Sequence, residues 1–190
     1  MSNDLLSRVR RNHALEHATI NILSNNHKGF SAQGNSTPRG FNLNIFGEIA
    51  EEDVAQAVEE AYKRLKNGEN ELALHPNCGT VLLTTATLAA LAAQATFSLE
   101  RRRQNSPRYN IPILIAALPV TILAVFIALI ASKPLGMALQ ANYTVDPELG
   151  DLQVTSIRHV SPHIVTRIFQ FLLGQAKNQD VHAYRIETIG

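Results

Sequence analysis

The chain has 190 residues, enough for one domain or one domain with an appendage, and it carries 17 basic against 16 acidic side chains. A net charge of +1 gives no basis for nucleic-acid binding. The single cysteine, Cys78, excludes an internal disulfide and fits a reducing compartment, or a metal or catalytic role.

The start does not read as a secretory signal: Leu5 and Leu6 are followed by Arg8, Arg10 and Arg11, with no apolar stretch behind them. Residues 3–24 are expected to form a helix. Leu6, Val9, His13, Glu16, His17, Ile20 and Ser24 fall on one side at 100° per residue, while Ala14, Leu15, Ala18 and Ile22 cover much of the other. Such a helix is buried along its middle turns, and Asn25, Asn26 and Gly29 end it. A hairpin follows. FSAQ (30–33) and FNLNIF (41–46) read as strands, the second by its alternation of Phe41, Leu43 and Ile45 with Asn42 and Asn44; GNSTPRG (34–40) reads as the turn between them. Residues 50–66 make an amphipathic helix. Val54, Ala57, Val58, Ala61 and Leu65 form its stripe, with acids in its first turn and bases in its last.

Beyond LALHPNCGT the character changes. Residues 79–99 and 111–131 carry no charge, and each is long enough to cross about 30 Å of hydrocarbon as a helix. The threonines and alanines of the first suit close packing on the second. A chain this small cannot easily surround two such helices as a soluble core. The connector, 100–110, holds four arginines, which the positive-inside rule would place in the cytoplasm. Against that, residues 1–78 would then have to cross the membrane first, and Lys63, Arg64 and Lys66 lie near the first span. The reading adopted has both termini cytoplasmic.

The remainder reads as strand (151–157), helix (162–175) and strand (181–188). Neither flank of the apolar pair has enough strands for a stable sheet, but together they supply four. The expected class is therefore α+β: a small four-stranded sheet with helices on one face, interrupted by a two-helix transmembrane hairpin. Residues 1–78 and 150–190 form its halves and residues 79–132 the hairpin.

Two clusters could carry chemistry. HALEH (13–17) fits H-x-x-E-H, in which His13 and His17, one turn apart, can reach one metal ion while Glu16 acts as a base toward metal-bound water. The same groups would be satisfied by a hydrogen-bonded core network without metal. In HPNCGT (75–80), His75 and Cys78 are spaced H-x-x-C, both zinc-ligand types. Cys78 would also be a candidate nucleophile at a helix N-terminus, or simply a small apolar residue in a turn. Four ligands, His13, His17, His75 and Cys78, would make a closed structural zinc site; three and a water would make a catalytic one. The 34–40 turn with Arg39 could hold an anion, and His159, His163 and Arg167 could touch lipid headgroups; a plain hairpin loop and a solvated basic face are the alternatives.

At RNHALEHATI, GFSAQGNSTPRGFNLNIFG and HPNCGT the chain resembles an uncharacterised bacterial membrane family, a domain of unknown function found in cyanobacteria, from about residue 9 to residue 80 with the hairpin following. That resemblance implies a membrane protein and brings no activity. A second resemblance, to inverted zinc proteases, covers only His13, Glu16 and His17. Those enzymes are larger and soluble, and they take a further glutamate ligand that no motif here supplies. The function expected is thus an integral membrane protein, its partners the bilayer and other membrane proteins. Either it holds a zinc-type His/Glu/Cys site at the membrane face, open to a hydrolytic role, or it is a non-catalytic assembly or scaffold protein whose polar cluster is structural.

Overall fold

The computed structural model describes residues 5–162 and 181–190. The chain divides into two compact units. One comprises residues up to 75 and from 143 onward; the other is 76–142.

In the first unit, helix α1 (Leu5–Asn26) leads into strands β1 (Ser31–Thr37) and β2 (Gly40–Phe46), helix α2 (Glu51–Lys66) and a short 3-10 turn (Asn70–Ala73). Strands β3 (Gln153–Val160) and β4 (Val181–Ile189) come from the far end of the chain. All four strands form one antiparallel sheet in the order β1-β2-β4-β3. The flanks of the apolar segment therefore build a single α+β sheet. The register places Phe41 opposite Ile186 and Leu43 opposite Tyr184, so one face is apolar. That face packs with α1 and α2 into a core that includes Leu15, Leu23, Val54, Val58, Leu149 and Leu152. Asn42, Arg185, Arg158 and Glu187 occupy the other face.

The α2 helix follows its charge pattern. Glu51, Glu52 and Asp53 open it and Lys63, Arg64 and Lys66 close it, each sign complementing the helix dipole. Ion pairs Glu59–Lys63 (2.6 Å) and Glu60–Arg64 (3.1 Å) span single turns, and Gly68, at φ 90°, ends the run. Helix α1 is different. It buries Arg11, Asn12, Glu16, His17 and Thr19 together with its apolar residues. Buried polar groups need partners. Asn12 donates to Thr37 O (2.9 Å) and accepts from the Thr188 hydroxyl (2.8 Å), and Arg11 pairs with Asp151 (2.8 Å).

Several boundaries differ from those expected of the sequence. Residues 34–37 are not turn but strand: Gly34 pairs with Leu43 and Ser36 with Phe41, which leaves only Pro38 and Arg39 to connect the strands. The amides of 34–37 therefore belong to a sheet edge rather than to an anion-binding loop. β3 begins at Gln153 and runs to Val160, with a bulge between Val154 and Ser156. The helix expected over 162–175 lies outside the described residues from 163 onward, as do His163 and Arg167.

The second unit is a helical pair, α3 (Gly79–Arg103) and α4 (Ile111–Leu139), the latter continued by a wider turn (Gln140–Thr144). Both helices are long and apolar enough to cross a membrane. Their contact uses small and hydroxylated residues: Thr85 donates to Ser132 (2.8 Å), Thr96 pairs with Thr121 (2.7 Å), and Gly136 lies directly against Val81. Leu83, Leu91, Ile122, Phe126 and Ile130 point outward. α4 outruns the expected 111–131 by a further two turns, carrying Lys133 and Pro134 within it.

Candidate functional site

The third and fourth turns of α1 carry His13, Glu16 and His17. The His13 and His17 rings meet edge to face with centroids 4.2 Å apart, and ligand nitrogens of the two lie within 4.8 Å of each other. His75, just beyond the 3-10 turn, brings a third imidazole 5.8 Å from the His17 ring.

Each ring is fixed through the same nitrogen. His13 Nδ1 lies 2.9 Å from Thr144 O, and His17 Nδ1 lies 2.7 Å from Ala73 O. A carbonyl only accepts, so both Nδ1 atoms carry the proton, and Nε2 bears the lone pair in the neutral ring. His75 Nδ1 meets Asn21 Oδ1 at 2.9 Å. The Asn21 amide nitrogen donates to Leu72 O (2.9 Å) and Leu74 O (3.0 Å), which fixes the amide so that its oxygen receives the His75 proton. All three imidazoles thus share the Nδ1–H tautomer. Metal-binding histidines characteristically have that arrangement: one ring N–H given to an oxygen, the opposite nitrogen left as the ligand atom. Burial pushes the His75 imidazole below its ordinary proton affinity, and the neighbouring His17 adds to this.

The carbonyls reach the rings by identifiable routes. Arg10 donates to Val145 O (3.1 Å) and its own carbonyl accepts from Asp146 N (3.1 Å). With the Arg11–Asp151 pair, these bonds lay residues 144–151 along α1 and present Thr144 O to His13. On the other side, the turn Asn70–Ala73 presents Ala73 O to His17.

Glu16 leans toward β1. Its carboxylate accepts from the Ser36 hydroxyl at 2.5 Å and lies over Gly34, where a Cβ would fall 1.9 Å from Oε1. Burial raises its pKa to about 7, against the opposing pull of the Ser36 hydrogen bond and of His13. Cys78, in the second unit, is the N-cap of α3, its sulfur accepting from Thr80 N at 3.4 Å.

Of the residues singled out in the sequence, His13, His17 and His75 are brought together, and Glu16 adjoins them with its carboxyl turned to the sheet. The sequence reading missed Asn21, Ser36 and Gly34. Asn21 stands one turn beyond His17, and that i+4 spacing was the available signal.

An α+β domain that gathers two imidazoles of one helix and a third from the chain beyond the 3-10 turn, interrupted in sequence by an apolar helical pair, is the class of protein defined here. Residues 8–157 match the family model described as a domain of unknown function (DUF6391), and the chain belongs to that family. It is similar to an uncharacterized protein of Picosynechococcus sp., 41% identical over 98 residues covering 45% of this chain and 47% of the relative. The chain thus spans about half the length of the curated relative it matches. No solved structure matches.

Proposed function

We propose that the protein is an integral membrane protein in which His13 and His17 bind a divalent metal ion of zinc type. The reading is carried by one observation: both Nδ1 atoms are committed to backbone carbonyls, at 2.9 and 2.7 Å, so that two Nε2 lone pairs one helical turn apart are the ligand atoms. Imidazole pairs at i, i+4 suit zinc, and its tetrahedral preference asks for one or two more donors. His75 is the first candidate. Cys78 follows it by three residues, a tether of at most about 10 Å, and offers a thiolate. Glu16, one residue from His17, is the group to act as base if a ligand position is held by water. The membrane part of the proposal is supported by two long apolar helices whose large side chains face outward.

Elemental analysis of the full-length protein, purified in detergent, tests this. About one zinc per chain is expected, lost in His13→Ala and His17→Ala and retained in Glu16→Gln. His75→Ala and Cys78→Ser apportion the remaining positions. Folded wild-type protein that takes up no metal from a zinc-supplemented buffer would overturn the proposal in favour of the second reading, a non-catalytic assembly protein. The Glu16 carboxyl favours that alternative, since it is turned to the sheet and held by the Ser36 hydroxyl.

A further inference from the structure

Where α3 gives way to α4, basic side chains crowd one short segment: Arg101, Arg102 and Arg103 in the last turn of α3, and Arg108 in the connector. The nearby carboxylate is already engaged. Glu100 takes Arg103 at 3.5 Å and the Gln104 amide at 2.7 Å. Among the described residues, neither Arg101 nor Arg102 has an acidic partner. The backbone folds back on itself beside them. Asn105 adopts a φ of 48°, and the Asn105 and Ser106 amides return to Arg102 O (3.0 Å) and Arg101 O (3.1 Å). The result is an open hollow of about 450 Å³ lined by Arg101, Arg102, Asn105, Ser106 and Pro107. Arg101 is further ordered by stacking 4.8 Å from the Tyr109 ring, whose hydroxyl is tied to Ser98 at 3.1 Å.

We propose that Arg101 and Arg102 bind the phosphodiester headgroup of an anionic phospholipid. The proposal rests on the reading that α3 and α4 cross a bilayer. The uncharged run of α3 ends at Leu99 and that of α4 begins at Ile111, so the arginines stand at the depth of the lipid phosphates. Guanidinium groups match phosphate oxygens in a bidentate fork. A free phosphate in so open a hollow would keep most of its water. A lipid brings acyl chains as well, and Leu99, near the end of α3, and Ile111 and Ile115, in the first turns of α4, are exposed to receive them. Charge and apolar surface together therefore select a membrane lipid over a soluble anion.

The full-length protein is incorporated into vesicles of equimolar phosphatidylcholine and phosphatidylglycerol, flotation verifies insertion, and lipids retained after mild detergent extraction are counted by native mass spectrometry. Phosphatidylglycerol should be retained preferentially by about five-fold or more, the scale of one basic side chain at an anionic surface. The preference should fall to parity in Arg101→Gln/Arg102→Gln and persist in Lys28→Gln, an exposed cation outside the helical pair. No preference in the wild type, or one unchanged in the double variant, overturns the site. Complete displacement by inorganic phosphate overturns it in favour of a soluble-anion site. Protein that inserts without preference refutes the headgroup site alone, whereas protein that fails to float refutes the membrane reading and this site with it.

Discussion

Gly34 and Glu16 show how one residue's absence of a side chain lets another be buried. The carboxyl fills the space a Cβ would take, at 1.9 Å from Oε1, and holds Ser36. Gly34→Ala should therefore cost about 1–3 kcal/mol by overpacking, and Glu16→Ala in the same chain should return part of that loss. Urea or thermal melts of the two single variants and the double variant measure the coupling, and additive losses would show that the carboxyl is not what fills the space. Asn21 is the second such position. Asn21→Ala removes the donor to two carbonyls and the acceptor of His75, so a loss of about 1–3 kcal/mol is expected, with the His75 ring resonances broadened in NMR. The histidine stripe was legible in the sequence because i, i+4 spacing on a helix is a local rule. What fixes the rings was not. Thr144 is 131 residues from His13 and Ala73 is 56 from His17, and nothing in a local pattern announces a backbone carbonyl delivered from so far away.

At the level of elements, the strands with one apolar face declared themselves, and the polar one did so only over its first residues, with 34–37 read as turn. β1 is built from Ser31, Ala32, Gln33, Gly34, Asn35, Ser36 and Thr37, residues that favour turns when no partner strand is considered. It is a strand because β2 pairs with it along its length and α1 covers its inner face with Glu16 rather than with an apolar side chain. On the opposite edge, the Ser156 hydrogen bond and the Arg158 ion pair hold the Glu187 carboxyl below the ordinary range. A carboxyl depressed in the folded state stabilises above its unfolded pKa and loses that contribution as pH falls through the folded one. Glu187→Gln should accordingly lower the melting temperature near neutrality, with the gap to wild type closing on acidification. In the helical pair, Gly136 allows the close approach of Val81: a Cβ there would stand 2.9 Å from the Val81 Cα. Gly136→Leu should pry the helices apart at that turn, costing more than Ser132→Ala, for which loss of one interhelical hydrogen bond is worth about 0.6 kcal/mol. Detergent-titrated unfolding ranks the two variants.

For the molecule as a whole, the apolar pair is an insertion in a domain whose parts come from both sides of it. β4 lies between β2 and β3, so the first unit cannot complete its sheet from either flank alone. That much was readable, because two strands per flank are too few and the apolar runs are too long for anything but membrane or core. The points where the chain leaves and re-enters the unit are held close together. Ala73 O meets His17 and Thr144 O meets His13, on successive turns of α1. A short Gly/Ser linker can therefore replace residues 76–142 without straining either end. The outward-facing Leu83, Ile122, Phe126 and Ile130 belong to the segment removed, while the core of the sheet and its two helices stays intact. The linker-joined chain should be monodisperse in buffer without detergent and melt cooperatively, whereas the full chain should need detergent. If the shortened chain aggregates or melts without a transition, the sheet depends on the helical pair for its stability, and the two-unit description fails.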